Sequence, residues 1–242
     1  MMAQVNNEGY SLVRGGNDAL ANEACRFIAG KLRAAITARG KASLMVSGGS
    51  SPKPLFAALA KEELAWDKVT VSLVDERWVE PGDAGSNETF IKDNFLTGAA
   101  AAAKFISLKS SHNTVQQGLS EIEARFKAVS PPFDICVMGM GLDSHTASWF
   151  PDSIGRAEAM DEDNAARFAY VDARGCGGAG AFPDRITLTL PAVMQARDIV
   201  LFIPGAEKAA VFAAANAGNT SSAPVAALKS AGKRLSVFTG LV

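Results

Sequence analysis

Residues 133–150 read FDICVMGMGLDSHTASWF. An apolar run, FDICVMG (133–139), passes into glycines and then into polar residues. A short apolar run bounded by turn residues is the pattern of a strand buried on both faces, as in a parallel sheet. Two other stretches repeat it. ASLMVS (42–47) runs into GGSSP, and VTVSLV (69–74) runs into the polar DERWVEPGDAGSN. Helical patterns lie between. Leu20, Ala24, Phe27, Ile28, Leu32 and Ile36 recur at spacings of three and four across 17–39, and Gly40 stops that helix. A second helix runs through Leu55, Phe56 and Leu59, with Pro52 in its first turn. Others are expected over 87–96, over 113–128 and in GAEKAAVFAAANAG (205–218). FISL (105–108), RFAYV (167–171), RITLTL (185–190), DIVLFIP (198–204) and RLSVF (234–238) read as strands.

Strands alternating with helices predict an α/β protein with a mostly parallel central sheet covered on both faces. No linker or internal repeat divides the chain, so residues 1–242 are read as one domain. The runs AAAAA (99–103) and GCGGAG (175–180) are read as local, without a role of their own.

Composition narrows the function. Hydrophobic residues make up 48% and charged residues 20%, which fits a globular chain with a sizeable core. A net charge of −1 gives no basic footprint for nucleic acid. No apolar run approaches the ~20 residues of a membrane span, and the first residues do not read as a signal peptide. Cys25, Cys136 and Cys176 share no metal-type spacing. Cys25 and Cys136 fall on apolar patterns as buried thiols, and Cys176 lies in a glycine-rich loop. A reduced, cytoplasmic setting is the simplest reading. No metal and no cofactor are expected.

In a parallel sheet, loops after the strands gather at one edge, where α/β proteins bind ligands. SGGSSP (47–52) pairs Gly48 and Gly49 with Ser50 and Ser51 just before a helix, a pattern that suits an anion. It lacks the ending of a Walker loop, and neither it nor GMGLDSH has the three glycines of a dinucleotide loop. Asp75, Glu76 and Arg77 put charge directly after a buried strand, which requires pairing or function. His145 carries the imidazole suited to acid–base work, and Asp143 can orient it where a turn brings the two together. The other histidine, His112, reads as a solvated or capping residue. Asn87 reads as a cap of the next helix. Arg185 opens a strand, and Lys208 sits in the first turn of a helix, where the dipole disfavours a cation unless an anion is near.

SGGSSPKPLF, VDERWVEPGDAGSN, PFDICVMGMGLDSHTASWFP and FPDRITLTLPAVMQARDIVLFIPGAEKA together resemble the 6-phosphogluconolactonase family of the glucosamine-6-phosphate deaminase/isomerase superfamily. The resemblance implies a Rossmann-like three-layer α/β fold without a dinucleotide, and hydrolysis of 6-phospho-D-glucono-1,5-lactone, with a small sugar phosphate as the only partner. It implies His145 as general base, aided by Asp143. Gly48, Gly49, Ser50, Ser51, Arg77, Arg185 and Lys208 would meet the substrate. Asp75 matches a carboxylate that the deaminases use for proton transfer. A monomer, or at most a weak homodimer, is expected. Two departures stand out: Ser144 replaces the glycine of the family's Asp-Gly-His, and the C-terminal Trp-x-x-Asp is missing.

The nearest alternative is a glucosamine-6-phosphate deaminase. That family typically reads Asp-Glu-Tyr in place of Asp75-Glu76-Arg77, and it carries a glutamate shortly after the histidine, where this chain has ASWFPDS. A non-catalytic sugar-phosphate sensor is the other alternative. Such regulators usually carry a separate DNA-binding domain, and none fits before the first strand.

Overall fold

In the computed structural model, the described residues are 4–5, 9–129, 131–215 and 218–241. The chain runs β1 (Gln4–Val5), β2 (Ser11–Arg14), α1 (Asn17–Arg39), β3 (Ala42–Val46), α2 (Lys53–Leu59), β4 (Val69–Leu73), β5 (Asp75–Arg77), α3 (Asn87–Asn94), β6 (Lys104–Phe105), α4 (Val115–Arg125) and β7 (Ile135–Met138). It continues through α5 (Arg156–Ala159), β8 (Phe168–Asp172), β9 (Asp184–Leu188), α6 (Leu190–Met194), β10 (Asp198–Ile203), α7 (Ala206–Ala214) and β11 (Leu235–Thr239).

The central sheet has the order β1-β2-β11-β10-β7-β3-β4-β6. Only the β1–β2 pairing is antiparallel. β3 and β7 are buried at every position, as their unbroken apolar sequences require. α1 buries Leu20, Ala24, Ile28 and Leu32 in one stripe and ends at Gly40, whose φ of 72° closes the helix through a bond to Ile36 O. From β3 the chain moves outward to β4 and β6, then returns to β7 on the other side of β3 and goes on to β10 and β11. The loops after β3 and β7 therefore diverge from neighbouring strands and open a crevice at their carboxyl ends.

Four expectations change. DER is not a loop: it is β5, paired antiparallel with β9, which pairs antiparallel with β8. RITLTL therefore belongs to a second, three-stranded sheet rather than to the parallel one. The strand expected over 105–108 is confined to Lys104–Phe105. The helix expected over 113–128 is α4 followed by a 3-10 turn, Phe126–Val129.

Asp134 ties β7 to β3. Its carboxylate accepts from Ser43 N (2.8 Å) and pairs with Arg39 and with Arg197 (3.4 Å). Its own N–H donates to Ser43 Oγ at 2.9 Å. Among the described residues no helix is long and apolar enough to cross a membrane. Asp134→Ala leaves a buried strand N–H without its acceptor. The expected loss is about 2 kcal/mol, read as a lower urea midpoint; an unchanged midpoint contradicts this role.

Candidate active site

The loop after β7 is closed by its own hydrogen bonds. Thr146 Oγ1 donates to Gly139 O (2.7 Å), Gly141 N to His145 O (2.9 Å) and Ser144 N to Gly141 O (3.0 Å). Ser144 adopts φ 66°, the left-handed region where the family's glycine would be at ease. The backbone thereby turns back, and side chains two residues apart meet: His145 Nδ1 lies 2.5 Å from Asp143 Oδ1. Burial raises the Asp143 pKa, but the hydrogen bond and charge of His145 outweigh it and hold the carboxyl below its ordinary value. The imidazole lies against Phe150, with ring centroids 4.2 Å apart.

Ser144 is held from outside the loop. Its Oγ donates to Ser222 O (3.1 Å) as well as to Asp143 O (2.5 Å), and Ser144 O accepts from Val225 N (3.1 Å). Gly178, in the run read as having no role, packs on the pair. A Cβ there would lie 2.6 Å from Asp143 Oδ2 and 2.9 Å from His145 Nδ1. Gly141 is equally constrained by the imidazole.

These residues line a cleft of about 260 Å³ with Gly48, Gly49, Ser50, Ser51, Asp75, Arg77, Arg185 and Lys208. Every site residue expected from the sequence is brought there except Asp143, which stands directly behind His145. His112 is elsewhere, half-exposed and 3.5 Å from Glu121.

The second sheet explains the cationic wall. Alternation along β5 sends Asp75 and Arg77 to the cleft and Glu76 away from it. The register sets Arg77 directly opposite Arg185. Like charges so placed repel unless an anion joins them. Arg185 is 3% exposed. It donates to Phe182 O (2.6 Å) and Ala179 O (2.7 Å), and its Nη1 lies 4.0 Å from Asp75 Oδ2. Burial lowers its pKa to about 10, and Arg77 adds to the lowering. Asp75 also accepts from Ser148 Oγ (2.6 Å). Lys208, in the first turn of α7, donates to Ser51 Oγ (2.9 Å), and burial lowers its pKa.

Glu76 is fully buried and accepts from the N–H groups of Arg77, Asn87 and Glu88, each at 2.7 Å, and from Ser86 Oγ at 3.1 Å. Ser86, not Asn87, is the side-chain cap of α3. Sequence reading missed Asn87, Gly178, Phe150 and Ser47 as cleft residues. Ser47 had the one usable signal, its place at a buried strand's carboxyl end, and its Oγ is buried without a hydrogen-bond partner among the described residues. Among those residues no cluster of His, Cys, Asp or Glu is arranged to hold a metal ion.

A parallel sheet with a histidine–aspartate pair and clustered cations at its carboxyl edge defines an α/β protein fitted for acid–base chemistry on an anionic ligand. Residues 16–237 match the family model for glucosamine-6-phosphate isomerases/6-phosphogluconolactonase, and the chain belongs to that family. A 6-phosphogluconolactonase of Rhizobium meliloti is 39% identical over 211 residues, 87% of this chain and 89% of that protein. One from Pseudomonas putida is 38% identical over 200 residues, covering 83% and 80%. The crystal structure of a 6-phosphogluconolactonase from Shewanella baltica superposes with a TM-score of 0.86 at 32% identity, covering 98% of this chain and 99% of that one.

Two outcomes follow from the site's construction. Ser144→Ala keeps the left-handed backbone and loses the bond to Ser222, so it is less stable by about 1 kcal/mol. Ser144→Gly loses the same bond but relieves strain of about 1 kcal/mol, so it stays near the wild type. Denaturant unfolding distinguishes them, and an alanine variant as stable as the wild type contradicts the account.

Burial pushes Glu76 from 4.5 to about 7, against the three N–H bonds that favour its carboxylate. The folded protein therefore keeps this proton where the unfolded chain releases it. Its contribution to stability is complete below 4.5 and is lost as the pH rises through about 7. Wild-type stability, measured relative to Glu76→Gln, falls across that window; parallel pH profiles contradict it.

Proposed function

We propose that this cleft hydrolyses 6-phospho-D-glucono-1,5-lactone to 6-phospho-D-gluconate, the lactone-opening step of the oxidative pentose phosphate pathway. The observation that carries this reading is the His145–Asp143 pair in one cleft with Arg77, Arg185 and Lys208. The names of the relatives support the substrate.

Asp143 accepts from Nδ1–H and so leaves Nε2 of His145 free to take a proton. A water oxygen bonds to the lactone carbonyl carbon as Nε2 removes one of its protons. The carbonyl oxygen becomes an oxyanion, stabilised by backbone N–H groups of the glycine loops. Collapse breaks the bond between the carbonyl carbon and the ring oxygen, and the imidazolium returns its proton to that oxygen. The product is an open-chain acid that ionises in water.

A lactone carbonyl is already electrophilic, so this scheme requires neither metal nor organic cofactor. The phosphate is held by Arg185 and Lys208 with Ser50 and Ser51, and Arg77 completes the cationic wall. This binding, remote from the carbonyl, orients the ring. Asp75 holds Arg185 and meets substrate hydroxyls. The same reading takes residues 1–242 as one domain, acting in the cytoplasm as a monomer or a weak homodimer.

The test is a coupled assay in which glucose-6-phosphate dehydrogenase supplies the lactone and acid formation is compared with spontaneous opening. Wild-type protein accelerates it. His145→Ala loses about 100-fold or more in kcat while its circular dichroism stays that of the folded wild type. Lys208→Ala raises KM for the phosphorylated lactone and leaves the slow turnover of unphosphorylated gluconolactone unchanged. Full turnover by His145→Ala would overturn the assignment of the base.

A further inference from the structure

The mechanism does not use the cleft side chain of Asn87 or the buried carboxylate of Glu76. Asn87 is 3% exposed and lines the cleft at the start of α3. Its Nδ2 donates to Asp75 O at 2.9 Å. That carbonyl can only accept, so the NH2 must face it, and the carboxamide orientation is fixed. Oδ1 then lies against Gly48, where any Cβ would collide with it. Glycine at 48 leaves that oxygen room beside the cleft. Among the described residues Oδ1 accepts from no donor. An acceptor held in one orientation at a cleft wall, with its companion NH2 already bonded, is placed to accept from a donor on the ligand. A carbohydrate hydroxyl is such a donor.

Glu76 explains why the carboxamide stays in place. It does not line the cleft. It grips Asn87 through the backbone N–H at 2.7 Å, with Glu88 N, Arg77 N and Ser86 Oγ on the same carboxylate. One buried side chain thus joins the strand that carries Asp75 and Arg77 to the helix that carries Asn87.

We propose that the Asn87 carboxamide reads one ring hydroxyl of the lactone, and that Glu76 is the positioning residue that holds it there. Asn87 is thereby a specificity-determining contact for the carbohydrate ring, separate from the phosphate contacts. This rests on the lactonase reading above.

The experiment uses the full chain and four substrates: the phosphorylated lactone and its 2-deoxy, 3-deoxy and 4-deoxy analogues. For the wild type, one analogue is expected to lose about tenfold in kcat/KM, equivalent to ~1.4 kcal/mol, mainly through KM. In Asn87→Ala the parent lactone drops to the level of that analogue and the gap closes. If Asn87→Ala does not fold, Asn87→Leu, which keeps the volume without polar atoms, carries the same test. Glu76→Gln narrows the same gap and leaves the ratios for the other two analogues as in the wild type; a merely structural role would slow all four alike.

The proposal is overturned if no deoxy lactone loses about tenfold, if the gap persists without the Asn87 carboxamide, or if Glu76→Gln scales all four substrates equally. Each of these outcomes requires an active wild type. A wild type that does not accelerate opening of the parent lactone overturns the lactonase reading itself, and this one with it.

Discussion

The 2.5 Å hydrogen bond between His145 and Asp143 sets the terms for everything around it. Side chains two residues apart share a face in a strand but are held roughly 6.6 Å apart along it, and in a helix they do not face each other. They meet here because Ser144 turns the backbone through the left-handed region. That turn is strained for serine, and the surroundings hold it. Ser222 O and Val225 N bond Ser144 from a distant part of the chain, and Phe150 supports the imidazole. Gly141 and Gly178 let two loops close on the pair where any side chain would intrude.

The other half of the cleft arises from a different device. The parallel sheet supplies the edge at which β3 and β7 part, and the small antiparallel sheet supplies charge. Two arginines face each other across β5 and β9, one of them deeply buried, and Lys208 joins them from α7. Asp75 is the only carboxylate lining this cleft among the described residues. Like charges so placed repel one another in an empty cleft and are relieved by an anion; in the proposed reaction that anion is the phosphate, and binding energy is concentrated away from the carbonyl.

The parallel architecture was legible because its signals are local. Buried strands show as apolar runs, and α1 shows its stripe and its terminal glycine over 23 residues. Lys208 was legible because a cation in a first helical turn conflicts with the dipole. The second sheet was not. β5 has three residues, too few to display a period, and its partner β9 lies more than 100 positions away in the sequence. Gly178 was hidden for a similar reason: a glycine in a loop reveals freedom of the backbone but not the distant imidazole that needs it. Asn87 was misread as a cap because Ser86, its neighbour, takes that role while Glu76 turns Asn87 toward the cleft.

The central claim is that Asp143 fixes the imidazole so that Nε2 is the proton acceptor. Nitrogen-15 NMR of the histidine rings, with His145 assigned by comparison with His145→Ala, tests it directly. Above the imidazole titration the account predicts the tautomer protonated at Nδ1, with Nε2 bare, and loss of that preference in Asp143→Ala. A neutral His145 protonated at Nε2 in the wild type would contradict it.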